Sequence, residues 1–160
     1  MNYEIRKAKI EDLEQIKLLL AKLSQKEHDE FDETTNGDYA QTEDADQFLR
    51  QRIGDGLTGL CLVVEAEDKI VGYFAGGIVT NPTEDYRSVR EIGEGESMFL
   101  EEGYRGKGIG TELLTFFEVW CKEKGLKCMT MAVSSGNKEA IKLYKSRGYE
   151  EYYIKLEKTL

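Results

Sequence analysis

The residues that could do chemistry are few and lie in separate stretches of the 160-residue chain. His28 is the single histidine, flanked by Lys26, Glu27, Asp29 and Glu30. A histidine-rich metal site is thereby excluded, and a Ser/His/Asp triad would have to use His28. Its charged neighbours give the reading of an exposed, solvated ring. Cys61, Cys121 and Cys128 form no CxxC pair, and each sits in an apolar or helical context. They read as buried, reduced thiols rather than zinc ligands or nucleophiles, and no metal is expected. What remains is the chemistry of glycine loops, carboxylates and tyrosines.

Two glycine motifs compete. Gly54-Asp55-Gly56-Leu57-Thr58-Gly59 spells GxGxxG but follows a helical pattern and precedes a strand. A dinucleotide fingerprint needs the reverse context, so that the pyrophosphate meets a helix N-terminus, and this segment is read as a loop. Arg105-Gly106-Lys107-Gly108-Ile109-Gly110 follows a strand ending near Leu100 and opens a helix marked by Leu113 and Phe117. Glycines here let backbone approach a ligand closely, and the unpaired N–H groups of the first helical turn, through Thr111, are anion donors. Arg105 and Lys107 add positive charge. No Lys-Ser or Lys-Thr follows Gly108, so this is not a Walker loop. The residues alone leave two readings open, a phosphate cradle or a tight strand-to-helix turn with two surface cations.

The elements that must position these groups follow from periodicity. Tyr3 to Lys7 reads as a short strand, and Leu13, Ile16, Leu19, Leu20 and Leu23 recur at helical spacing. A second helix is expected over Glu43 to Ile53. Leu60 to Ala66 and Ile70 to Ile78 form a hairpin about Glu67-Asp68. A polar stretch from Thr80 to Gly93 holds the only proline, Pro82, ahead of a strand from Glu94 to Leu100. Ile109, Leu113, Phe117 and Trp120 mark a helix stopping near Gly125. Lys127 to Val133 reads as a strand, Asn137 to Arg147 as a helix, and the alternation of Tyr152, Ile154 and Leu156 as a final strand. The order β-α-α-β-β-β-α-β-α-β predicts one mixed α/β domain over residues 1–160, with no repeat and no linker.

Charge narrows the partners. With 22 basic and 31 acidic residues, the net charge is −9, which argues against nucleic acid as main partner. No apolar run is long enough to span a bilayer. The first 20 residues carry Glu4, Glu11, Asp12 and Glu14 rather than a secretory pattern. No membrane partner and a cytoplasmic location are expected. The charge is also uneven: Glu27 to Asp55 holds ten acidic residues against Arg50 and Arg52, whereas Lys138, Lys142, Lys145 and Arg147 gather near the last helix.

Arg105, Gly108 and Gly110 fill the pattern Arg/Gln-x-x-Gly-x-Gly/Ala, and in this the chain resembles the GNAT superfamily of acetyl-CoA-dependent N-acetyltransferases. Arg6-Lys7-Ala8 with Glu11-Asp12-Leu13 looks like that family's opening strand and helix, and Glu96-Ser97-Met98-Phe99-Leu100 like its fourth strand. Asn137, Ala140, Tyr144 and Gly148-Tyr149 resemble its Asn-x-x-Ala-x-x-x-Tyr-x-x-x-Gly-Phe/Tyr segment, with Tyr149 where Phe is common. The resemblance covers nearly the whole chain. It implies a mixed, mostly antiparallel sheet with splayed central strands flanked by helices. The pantetheine arm of acetyl-CoA would then pair with Met98 to Leu100 in the gap, as an added strand would, and a backbone N–H there would stabilise the oxyanion.

The reaction so implied needs an alkylammonium, with pKa about 10, to lose a proton and the departing thiolate to gain one. By resemblance, Tyr144 donates to sulfur and Asn137 orders the ligand nearby. Glu96, expected on one strand face with Met98 and Leu100, is the first choice for base and Glu94 the second, and a dedicated base is not obligatory in the family. The four cations of the last helix face either the CoA 3′-phosphate or solvent. The resemblance puts the acceptor at residues 24 to 55 and 79 to 94, the second stretch carrying Glu84, Asp85, Glu91 and Glu94. Gathered carboxylates favour a cationic primary amine such as a polyamine, an aminoglycoside or a basic peptide terminus. The alternatives are a protein N-terminal or lysine acetyltransferase and a CoA-binding regulatory module without turnover. The apolar positions of the last strand suit a homodimer interface.

Overall fold

A computed structural model describes residues 2–54, 56–80 and 91–158. Five strands, β1 (Glu4–Lys7), β2 (Gly59–Ala66), β3 (Lys69–Thr80), β4 (Glu91–Leu100) and β5 (Met129–Met131), form one sheet in that order. The first three pairings are antiparallel and β4–β5 is parallel. Helices α1 (Leu13–Glu30) and α2 (Glu43–Ile53) precede β2, α3 (Ile109–Glu123) links β4 to β5, and α4 (Lys138–Ser146) follows β5.

The sheet divides the core in two. α1 and α2 bury Leu13, Ile16, Leu20, Ala45 and Leu49 against Cys61, Val63, Tyr73 and Phe99. α3 and α4 bury Leu113, Phe117, Trp120 and Tyr144 against Leu62, Val64 and Phe74 on the other face. β2 therefore reads as a continuous apolar run because both of its faces are covered. Each such Leu or Phe contributes about 1.5–3 kcal/mol through its burial. Phe74 and Phe117 pack with ring centroids 4.8 Å apart and Phe117 on Trp120 at 5.8 Å, anchoring α3 to the sheet.

Local chemistry sets the joins. Glu67 and Asp68 both take left-handed backbone, with φ of 51° and 59°, the geometry a two-residue hairpin demands. Arg6 on β1 clamps Asp12 bidentately at 2.7 and 2.9 Å and also bonds Glu65 at 2.7 Å, tying the start of α1 to β1 and β2. The Arg6 guanidinium holds the Asp12 carboxyl below its ordinary pKa, assisted by the Lys9 N–H.

Three expectations are corrected. The final strand over Tyr152, Ile154 and Leu156 does not form among the described residues. A strand needs a ladder partner, and Tyr152, Ile154 and Leu156 instead remain 55%, 69% and 89% exposed. His28 is half-buried, and its Nδ1 lies 2.9 Å from the Thr35 carbonyl, pinning the chain that leaves α1. Cys128 is partly exposed, whereas Cys61 and Cys121 are buried free thiols whose pKa burial pushes up to about 12 and about 11. Gly54–Gly59 does connect α2 to β2; a Cβ on Gly59 would lie 2.5 Å from the Gln51 carbonyl, so packing accounts for that glycine.

Candidate active site

The site begins with one extra residue in β4. Ala75 pairs with Ser97 and Gly76 with Gly95, which leaves Glu96 as a β-bulge. A bulge shifts the in–out alternation, so the expectation that Glu96 shares a face with Met98 and Leu100 fails for a physical reason. Glu96 and Ser97 turn toward α1 and α2, while Met98 and Leu100 join the α3–α4 core. Parallel pairing of β4 with β5 also stops at Gly95–Met131. Beyond it the chains diverge, opening a cleft of about 90 Å³ between Gly95–Met98 and Met131–Ser134, floored by Ala140 and Tyr144. A Cβ on Gly95 would meet the Met131 sulfur at 2.1 Å, so the glycine here leaves room for that side chain.

On the far side of the bulge, α1, α2 and β4 enclose a second cavity of about 300 Å³. Leu20, Tyr39 and Phe48 supply its apolar wall, and Glu27 and Glu96 its charge. Leu23, Glu27, Glu96 and Ser97 border both spaces, so cleft and cavity meet across the bulge. The Ser97 hydroxyl is held by Tyr73 at 2.5 Å. Arg52 grips Glu96 through Nε at 2.5 Å and Nη2 at 2.8 Å, and its guanidinium lies 5.4 Å from the centre of the Phe48 ring. Glu94, beside this pair, has its carboxyl pushed above the ordinary range by burial and then by the Glu96 charge, with Arg52 opposing.

Asn137 caps α4: its side chain accepts the Ala140 N–H at 3.1 Å, and this fixes the helix that carries Tyr144 two turns on. Tyr144 is buried to 8% exposure, packs against the Tyr149 ring at 5.7 Å, and borders the cleft. Its hydroxyl has no hydrogen-bond partner among the described residues. Burial, reinforced by the Glu27 charge, pushes its pKa up to about 12, so the hydroxyl holds its proton at neutral pH.

The glycine loop ends β4 and starts α3 as expected. Gly106 and Gly108 have φ of 70° and 87°, and Gly108 is the α3 N-cap, so left-handed backbone rather than crowding requires these glycines. Gly110 differs: a Cβ there would sit 3.2 Å from Leu143, so this glycine lets α3 approach α4. The N–H groups of the first turn, from Ile109 to Thr111, have no intrahelical acceptor. Arg105 turns back to the Leu100 carbonyl at 2.7 Å and covers the Phe99 ring at 5.1 Å, and Lys107 donates to the Gly103 carbonyl at 2.5 Å. Met98 borders the cleft, Phe99 is buried beneath α1, and Leu100 covers Gly72.

The cations of the last helix divide. Arg147 meets Glu118, Lys145 meets Glu151 and Lys138 donates to the Ser135 carbonyl, which leaves Lys142 exposed and unpaired among the described residues. The acidic block divides as well: Asp46 is held by Lys17 and Arg50, Glu30 by Lys26, and Asp29 by Gln25. Glu27 alone of that block borders the cavity. Glu84, Asp85 and Pro82 lie outside the described residues, as does Asp55. Sequence reasoning missed Glu27, Tyr39, Phe48 and Arg52. For Glu27 a signal existed: it extends the apolar α1 stripe of Leu13, Ile16, Leu20 and the partly buried Leu23, a charge on an apolar face.

Among the described residues, no group of three or more His, Cys, Asp or Glu is placed to hold a metal, and no helix is long and apolar enough to cross a membrane. Comparison with known proteins gives a match to the model of the Acetyltransferase (GNAT) family over residues 21–149. The chain is 33% identical over 105 residues to an uncharacterised N-acetyltransferase of Methanocaldococcus jannaschii, covering 66% of this chain and 43% of that protein. It is 37% identical over 75 residues to probable N-acetyltransferase 14 of Xenopus tropicalis, covering 47% of this chain and 34% of that protein. The matches therefore span less than half the length of these relatives. Among solved structures, an aminoglycoside N-acetyltransferase in complex with CoA superposes with a TM-score of 0.74 at 18% identity, over 99% of this chain and 95% of that one.

Proposed function

The chain belongs to the GNAT family of acetyltransferases, and on that premise we propose that it transfers the acetyl group of acetyl-CoA directly to a primary amine within a ternary complex. The observation that carries this reading is the meeting of the β4–β5 cleft and the α1–α2 cavity across the bulge at Glu96. A thioester entering along one space and an amine along the other would face each other at Ser97.

The roles divide by element. The unpaired β4 edge beyond Gly95 offers backbone groups to the amide-rich arm of acetyl-CoA. The N–H groups of the loop and of the first turn of α3, from Gly106 to Thr111, take its pyrophosphate, with Arg105 fixing the loop through Leu100 and Phe99. Tyr144 holds a proton at its hydroxyl oxygen and delivers it to the departing sulfur. Asn137 positions Tyr144 by capping its helix. Arg52 fixes the Glu96 carboxylate at the cavity mouth.

The acceptor class is a cationic primary amine, as polyamines, aminoglycosides and peptide termini are. A cavity of about 300 Å³ suits a small amine better than a protein chain. The aminoglycoside-acetylating neighbour shares this fold. A cytoplasmic setting agrees with the buried free thiols of Cys61 and Cys121.

Calorimetry with acetyl-CoA, followed by thiol release across an amine panel, tests the proposal. Binding and turnover on at least one amine are expected. Binding without turnover on any amine would replace the enzyme by a CoA-binding module, and failure to bind at millimolar ligand would remove both readings. Tyr144→Phe should lower kcat by about a hundredfold with little change in acetyl-CoA affinity. An unchanged kcat withdraws the proton-donor role.

A further inference from the structure

We infer that Glu27 is the group that meets the acceptor's ammonium and takes its proton, and that the acceptor carries an apolar group beside that single charge. The inference rests on the acetyl-transfer reading and specifies the acceptor half of the site. Its basis is the contrast between the two carboxylates that border both cleft and cavity. Glu96 is gripped by both donor nitrogens that Arg52 presents, so its oxygens and its charge are already matched. Glu27 is half-buried on α1, and among the described residues its side chain has neither a hydrogen bond nor an ion pair. A half-buried, unmatched carboxylate in a cavity carries part of the cost of desolvation, which a cation beside it would offset.

The surroundings define what completes it. Titratable groups face Glu27 from the neighbouring elements: Glu96 from β4, itself paired to Arg52 of α2, Tyr73 from β3, Tyr39, near Asp44, and Tyr144 from α4. Because Arg52 neutralises Glu96, Glu27 is the one uncompensated anion bordering both spaces. The rest of the wall is mainly Leu20, Leu23, Tyr39 and Phe48, with Ser24 and the Ser97 that Tyr73 holds. One anion in an apolar and aromatic frame accepts one ammonium with a hydrocarbon or ring beside it.

The proton balance closes. The ammonium gives one proton to a Glu27 oxygen, leaving a neutral amine with a free electron pair. That pair forms the C–N bond to the acetyl carbon as the C–S bond breaks. The sulfur takes a proton from the Tyr144 hydroxyl, which regains one from the newly bonded nitrogen. Glu27 releases its proton to solvent. Burial alone holds the Glu27 carboxyl above the ordinary carboxylate range, which makes it a stronger base than an exposed glutamate.

The test uses wild type, Glu27→Gln, Glu27→Asp and Glu96→Gln, with calorimetry for CoA and thiol release from acetyl-CoA between pH 5.5 and 9. The acceptors are 2-phenylethylamine, spermidine and kanamycin. If wild type binds no CoA, the acetyl-transfer reading falls and takes this inference with it. CoA binding without turnover on any of the three amines overturns the inference as well. With turnover established, Glu27→Gln should keep CoA affinity within about twofold, lose about a hundredfold in kcat/KM, and lose the acidic limb of the pH profile. Glu27→Asp should recover part of the rate, and Glu96→Gln should raise KM while keeping that limb. Glu27→Gln with a wild-type rate and limb overturns the assignment of the proton. Wild type should prefer 2-phenylethylamine to kanamycin by about tenfold or more in kcat/KM, and the reverse order overturns the acceptor class.

Discussion

Under the proposed assignment, the two sides of the sheet would recognise donor and acceptor by different means. On the donor side, the groups are mostly backbone: the β4 edge beyond Gly95, the left-handed glycines at 106 and 108, and the first turn of α3. On the acceptor side they are side chains drawn from α1, α2 and β4, with Glu27, Phe48 and Glu96 far apart in the chain. Backbone recognition is set by local conformation and tolerates change in side chains. Side-chain recognition depends on how separate elements pack, and one substitution can redirect it.

Three perturbations would break or sharpen this contrast. The largest effect is expected on the donor side. Gly108→Val forces a β-branched residue to φ near 87°, which costs about 1–2 kcal/mol and distorts the loop. Acetyl-CoA affinity should fall by about tenfold or more while the amine preference order is unchanged, as calorimetry and the amine panel would read. A changed order would mean the two sides are not separable. Next, Arg52→Met releases Glu96 as a second free carboxylate. The ratio of kcat/KM for spermidine over 2-phenylethylamine should rise about fivefold, the factor that one solvated ion pair is worth. No change in that ratio would show that Arg52 does not set the charge of the cavity.

The smallest effect is on stability. Burial raises the pKa of Glu27 in the folded state above its unfolded value. Its ionisation therefore opposes folding at pH above the folded pKa and costs nothing below the unfolded one. Glu27→Gln should melt about 1 °C higher than wild type at pH 8 and at the same temperature at pH 3.5. A lower melting temperature at pH 8 would mean that Glu27 is a structural anchor instead.

The same contrast explains what could be read in the chain. The donor side is written in short-range spacing: Arg105 to Gly110 before Leu113, and Asn137 seven residues before Tyr144. α2 fell on Glu43–Ile53 and α3 began at Ile109 because capping and apolar stripes are local. The bulge was not legible, because Glu94 to Leu100 alternates acceptably without it and only the partner strand β3 reveals the extra residue. Arg52 was not legible either, since its pairing with Glu96 joins residues 44 positions apart. The last strand was overcalled because Tyr152, Ile154 and Leu156 alternate correctly, but periodicity says nothing about a partner.

The bulge also has a consequence for how such a protein can change over generations. Because the unmatched residue turns Glu96 and Ser97 both toward α1 and α2, a substitution at 96 alters the chamber there and the rim it shares with the cleft. Substitutions at 98 and 100 alter only the opposite wall. Under the proposed reading, new acceptors could be explored at the chamber while the wall on the α3–α4 side keeps its side chains. Deleting Glu96 would remove the bulge and restore regular alternation, leaving Phe99 in its present core but removing the carboxylate that Arg52 holds.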